Sequence, residues 1–324
     1  MRLVSRPEVY VQRIKVVAEP DLVRRSARVR VLALLSGAGA VVNACVFREG
    51  QAQAVGCVSK KGAVAGANGF DFTVAAKDCR FWDQDHPNMY RVVVQLGADT
   101  LSAAFGIRQM RVQGTKLLLN GEAVRFGGAN RPIDYPGFGS MDPPEVIEKD
   151  LGLMKSGGME LSRIIHYPVS DEFLDWADRH GLMIIEEAGN WQMTPKQLSD
   201  PVMRKKFESQ MREMVERDWN HPCVVAWSVG NEFQSQTEEG KKLGGGYEPV
   251  CKDYGYDEAD HVCEHDGGEG YYKEAGGRGF AVCGFYQFEY VWGLSEAAAA
   301  YSFGVSGQAC ICERVWHPDG WGEG

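Results

Sequence analysis

Apolar positions gather in two different rhythms along this chain. From Val9 to about Arg108 they form short β-rich runs, Val9–Val17, Ala27–Leu35, Ala40–Phe47, Phe70–Val74, Met89–Leu96 and Thr100–Ile107, separated by Gly, Asp and Asn. Such punctuation is that of a β-sandwich of roughly a hundred residues, expected over 1–110. The segment carries no cluster of ionisable groups, so it reads as a folded support for its neighbour.

After Arg111 strand-like runs alternate with helical ones, which implies βα units and a parallel sheet. Val124–Asn130 is the first expected strand. A helix then opens at Asp142-Pro143-Pro144-Glu145, with Asp142 as N-cap, and closes at Gly157-Gly158. Leu161–His166 is the second strand. Ser170 caps a helix that stops at Gly181, and Leu182–Glu187 has the near-continuous apolar character of a buried parallel strand. A third helix, about Pro201 to Trp219, places Phe207, Met211, Met214 and Val215 on one face, and Cys223–Asn231 is the fourth strand. Such a βα series over 111–242 is half of an eight-stranded (β/α) barrel, a fold whose chemistry sits at the C-terminal strand ends.

Composition narrows the chemistry. The chain is 44 % hydrophobic and 24 % charged, the mix of a soluble globular protein, and its net charge of -9 offers no basic footprint for nucleic acid or an anionic membrane. Val31–Phe47 is broken by Ser36, Gly37, Gly39 and Asn43, so it reads as two strands and a turn rather than a membrane span. No signal peptide precedes it, and localisation and oligomeric state stay open. Nine cysteines, an odd count, show no zinc-ligand spacing, and His166 and His221 lie at opposite ends of their strands. No metal or cofactor is expected.

The expected strand ends supply Asn130-Arg131, then Arg163 and His166-Tyr167, then Glu186-Glu187, then Asn231-Glu232. Carboxylates beside amide and guanidinium donors, without a Ser-His or Cys-His pattern or a phosphate loop, fit glycoside hydrolysis better than acyl or phosphoryl transfer. Glu186 and Glu187 could each bind backbone, an arginine or substrate. Trp191 and Trp227 are either core or sugar platforms, and His221 reads as structural.

The run from His221-Pro222-Cys223 through Trp227-Ser228-Val229-Gly230-Asn231-Glu232, preceded by Arg217-Asp218-Trp219-Asn220, resembles the acid/base signature of glycoside hydrolase family two, the β-galactosidase/β-glucuronidase group. Phe105-Gly106-Ile107-Arg108, Leu119-Asn120-Gly121, Gly128-Ala129-Asn130-Arg131, Arg163-Ile164-Ile165-His166-Tyr167-Pro168 and Asp175-Trp176-Ala177-Asp178 follow the family's order. The resemblance covers about Leu3 to Lys242. It implies an immunoglobulin-like sandwich before a TIM barrel, and a retaining β-glycosidase with Glu232 as general acid/base. Asn231 would contact the 2-hydroxyl, and Asn130, Arg163 and His166 would line the sugar site; Arg131 and Glu187, from the expected strand ends, are added as substrate-binding candidates. Pro132-Ile133-Asp134 stands where galactosidases usually show His-Glu, which leaves galactoside, glucuronide and mannoside open. The family's usual N-terminal jelly-roll is absent, so the chain is expected to be a fragment. A non-catalytic carbohydrate-binding or scaffold protein is the rival reading.

Beyond Lys242 the barrel rhythm gives way to Gly- and Cys-rich text that holds five of the nine cysteines. Back-translated and begun one base later, Gln308–Trp316 permits K-P-V-F-V-S-E-Y-G, similar to the family's nucleophile segment. Val282–Gly293 permits Y-V-D-F-I-S-L-N-M-Y-G, and Gly255–Cys263 permits D-T-T-R-P-I-T-Y-A. The tail 243–324 is therefore expected to be read in a shifted frame, joined near Lys242-Leu243. On this reading it lacks a packed core, it leaves the fourth strand's edge unpaired, and Glu313 is not the nucleophile.

Overall fold

The computed structural model describes residues 5–113, 116–234 and 237–240, together with the backbone of Val262–Cys263 and Phe280–Val282. Contacts divide the chain into two units, the first formed by 1–109 with 178–181 and 219–222, the second by the remainder.

The first unit is an all-antiparallel sandwich. Its strands are β1 (Val11–Asp21), β2 (Ser26–Leu35), β3 (Gly39–Arg48), β4 (Ala54–Ala63), β5 (Gly66–Val74), β6 (Met89–Leu96) and β7 (Asp99–Gly106). One sheet has the order β1-β2-β5 and the other β4-β3-β6-β7. Period-two burial explains the pairing of faces: Ala27, Val29, Val31, Ala33 and Leu35 of β2 and Val92, Val94 and Leu96 of β6 all enter one core, with Phe70 and Phe105. Each fully buried aliphatic side chain there contributes about 1.5–3 kcal/mol. Tyr90 is buried among them, its hydroxyl donating to Asp78 O and accepting from Arg80 N, and burial pushes its phenol up to about 12.

The sequence reading missed β4. Its Ser59-Lys60-Lys61-Gly62 stretch is exposed and shows no apolar alternation, because β4 is an edge strand with little to bury. Cys45 and Cys57, register partners on β3 and β4, are joined by a disulfide that spacing alone does not announce. The segments 178–181 and 219–222 attach to the sandwich through Trp82 Nε1, which donates to Asp178 O (2.8 Å), and Asn220 Nδ2, which donates to Ile14 O (2.9 Å). His221 does serve a structural contact, its Nδ1 lying 2.7 Å from Asp178 Oδ2.

The second unit begins with an antiparallel meander of β8 (Met110–Gln113), β9 (Lys116–Leu119) and β10 (Glu122–Val124). A parallel sheet follows, built from β11 (Gly128–Arg131), α1 (Pro144–Ser156), β12 (Leu161–Ile164), α2 (Asp171–His180), β13 (Met183–Glu187), α3 (Pro195–Ser199), α4 (Pro201–Asp218), β14 (Val224–Ser228), β15 (Val262–Cys263) and β16 (Phe280–Val282). Its order is β11-β12-β13-β14-β16-β15, a partial (β/α) barrel. Helix α4 buries Phe207, Met211, Met214 and Val215 as its pattern predicts.

Several expectations are corrected. The strand expected at Val124–Asn130 is two: Val124 closes the meander, and β11 starts only at Gly128. Gly128 sits so tightly on β12 that a Cβ there would lie 1.9 Å from Leu161 O. Asp142 does not cap α1; Pro143 holds the N-cap position with no side-chain bond, because Arg131 takes the Asp142 carboxylate. Helix α3 was not foreseen, although Thr194 and Gln197 form a capping box at its start. The outer edge of β14 is paired, since Ala226, Trp227 and Ser228 are in parallel register with Phe280, Ala281 and Val282. The packing of the rest of 243–324, and Glu313 with it, lies outside the described residues. No helix among the described residues is long and apolar enough to cross a membrane.

Candidate functional site

Parallel pairing brings the polar strand ends side by side. Asn130 is in register with Arg163, Arg163 with Ile185, and Glu187 with Ser228, so the ends of β11 to β14 lie within two register positions of one another. Successive residues of a strand face opposite ways, which separates the two adjacent glutamates of β13.

Glu187 belongs to the pocket and is its node. Its carboxylate is fully buried and accepts from Arg163 Nη2 (2.5 Å) and Ser228 Oγ (2.7 Å) on one oxygen. The other oxygen lies 2.7 Å from His166 Nδ1, which must carry a proton to donate to it. The same Arg163 nitrogen donates to Asn231 Oδ1 at 3.1 Å. Arg163, His166, Glu187 and Asn231 are thus brought together, as the sequence reading grouped them. Asn130 Oδ1, near the end of β11 and in register with Arg163, is buried with no hydrogen-bond partner among the described residues.

Glu186 faces away into a second carboxylate cluster. It lies 3.2 Å from Arg217 Nη2 of α4 and close enough to Asp218 to feel its charge, and Arg217 holds Asp218 at 2.6 and 2.7 Å. Burial, then the Asp218 charge, raise the Glu186 carboxyl well above the usual carboxylate range. Arg131 likewise leaves the site. Its guanidinium is 5 % exposed, paired with Asp142 and Asp150 and set over the Phe173 ring, so it ties β11 to α1 and α2.

Glu232 follows β14 on an irregular turn. Gly230, at φ +152°, approaches Asn190 so closely that a Cβ would fall 2.3 Å from its carbonyl oxygen. Asn231 N donates to that carbonyl (2.7 Å), and Asn231 O accepts from Gln192 N (2.9 Å). Glu232 itself adopts a left-handed φ of +50° and presents its carboxylate to Gln192, whose Nε2 donates to Oε2 at 2.8 Å. Sequence reasoning missed Gln192, since nothing in the β13 loop marks a partner forty residues away in sequence. Trp227 is buried at 5 % exposure, whereas Trp191 is 54 % exposed and stacks on His166.

Chemically, the site sets a buried network of donors and acceptors beneath one partly exposed carboxylate. Glu187 holds Arg163 and His166 in place through its two oxygens, and Glu232 keeps a partly exposed carboxylate beside them.

Residues 110–245 match the family model "Glycosyl hydrolases family 2, TIM barrel domain", and residues 9–108 match "Glycosyl hydrolases family 2". A β-galactosidase of Aeromonas hydrophila is 33 % identical over 248 residues, 71 % of this chain and 24 % of that one. A β-galactosidase of Thermoanaerobacterium thermosulfurigenes is 35 % identical over 164 residues, 49 % of this chain and 22 % of that one. The chain therefore spans about a quarter of the length of these curated relatives. Among solved structures, the β-glucuronidase of Ruminococcus gnavus in complex with a C6-substituted uronic isofagomine superposes with a TM-score of 0.69 at 26 % identity, covering 76 % of this chain and 42 % of that one.

Proposed function

We propose, from the premise that this chain belongs to glycosyl hydrolases family 2, that it carries the acid/base half of a retaining β-glycosidase active site. The observation that supports this reading most is the pairing of a buried Arg163–Glu187–Asn231 floor with the adjoining, partly exposed Glu232.

In the proposed reaction a β-glycoside rests on this floor. The Asn130 side-chain carbonyl and the Asn231 amide NH2 face its hydroxyls, with the Arg163 guanidinium holding Asn231 in place. Glu232 gives its proton to the glycosidic oxygen as the bond to the anomeric carbon breaks. In the second step it takes a proton from the water that releases the sugar. Retention requires a carboxylate nucleophile as well. Glu187 is a poor one, because both its oxygens already accept hydrogen bonds, and the shifted-frame string V-S-E-Y-G supplies the candidate. The chain as given is therefore expected to bind β-glycosides without turning them over. Galactosides and glucuronides are both candidate substrates, since the relatives' names include both.

The test compares the given chain with a one-base-corrected chain on para-nitrophenyl β-galactoside and β-glucuronide. The corrected chain should hydrolyse one of them with retention, seen by proton NMR of the first-formed anomer, and Glu232→Gln should slow it by about a hundred- to ten-thousand-fold. If the corrected chain binds but never hydrolyses, the non-catalytic carbohydrate-binding reading replaces this one.

A further inference from the structure

The loop after β13 furnishes the rim of the pocket. Gln192 reaches Glu232, while its neighbour Trp191 forms a parallel bridge with Asn231 and lays one indole face on His166, with ring centroids 5.2 Å apart and planes 26° from parallel. More than half of Trp191 is nevertheless exposed. An indole fixed by backbone pairing and by a stacking partner, yet open to solvent, has already lost the rotamer freedom that binding would otherwise cost.

Its place relative to the chemistry says which part of a substrate it meets. Arg163, Glu187 and Asn231 are buried and joined to one another, whereas Glu232, Gln192 and Trp191, which border Asn231, are partly or largely exposed to solvent. A general acid protonates the oxygen that joins sugar to leaving group, so with the sugar on the floor the leaving group extends past Glu232 toward the mouth. We propose that Trp191 is the platform of a leaving-group subsite that favours a flat aromatic aglycone, a role that rests on the glycosidase reading above. The free indole face stacks on the aglycone ring, and the stack on His166 keeps the platform level.

The experiment measures binding of para-nitrophenyl and methyl β-glycosides, as galactosides and glucuronides, to the full chain by ligand-observed NMR. The unaltered chain should prefer the aryl to the methyl glycoside, Trp191→Ala should cut that preference about tenfold, and Trp191→Phe should keep most of it. A preference unchanged in Trp191→Ala overturns the proposal, as does an equal weakening of both glycosides, which would put the indole over the sugar itself. If glycosides of both kinds bind but the unaltered chain shows no aryl preference, the subsite alone is refuted. If no glycoside binds the unaltered chain, the glycosidase reading fails and the subsite fails with it.

Discussion

Two adjacent glutamates with opposite fates show how much turns on a single residue. Glu187 is satisfied by a cation, a hydroxyl and a ring N–H, whereas Glu186 is buried beside another carboxylate and is raised well above the ordinary range. The raised value fixes the sign of a pH effect. Above about 4.5, the ordinary value, the unfolded chain releases this proton while the folded chain keeps it, so stability falls as pH rises from there through the raised value. Glu186→Gln keeps the shape and a donor without the charge. Urea unfolding followed against pH should therefore show a flatter profile, with the variant more stable at neutral pH by on the order of 1 kcal/mol. A variant that tracks the parent at every pH would remove the proton from Glu186. The reading of Glu186-Glu187 could not assign these roles, because alternation says that the two point apart but not which side is the pocket. Asp142 and Arg131 teach the same lesson. Each was read by its local role, cap and sugar ligand, and each was claimed instead by the other across eleven residues.

At the scale of elements, legibility followed burial. Strands β2 and β6 and helix α4 announced themselves because one face of each meets a core. Strand β4 did not, since an exposed edge needs no apolar period, and β11 was overextended because the charge and glycine of Arg125-Phe126-Gly127 interrupt the apolar run too briefly to read as a break. The disulfide between β3 and β4 holds that edge where side-chain burial does little. It closes a short loop, for which chain-entropy arguments give about 3 kcal/mol. Cys57→Ser should lower stability by about 2–3 kcal/mol in oxidising buffer and leave it unchanged when dithiothreitol is present, with amide exchange of β4 the first to accelerate. Equal losses in both buffers would mean that the effect comes from packing and not from the cross-link.

For the whole molecule, the sandwich and the first βα units were both legible, and Arg163, His166, Glu187 and Asn231 were grouped before their contacts were known. What local pattern could not give was the wiring, since Gln192 with Glu232 and Arg163 with Glu187 are partners only through the parallel register. The nucleotide sequence across the codons for Glu239 to Glu248 is the measurement that governs the rest. A one-base correction there that opens a frame through V-S-E-Y-G supports the proposed retaining reaction, whereas an intact frame favours the binding-only alternative. Either way, the single carboxylate of Glu187 gathers bonds from β12, from β14 and from the residue that ends the β12 run. A slipped strand would leave that buried charge without its partners, a cost on the order of several kcal/mol, so only the observed register satisfies it. A chain folded in this register has the side chains that meet at Glu187 already in place.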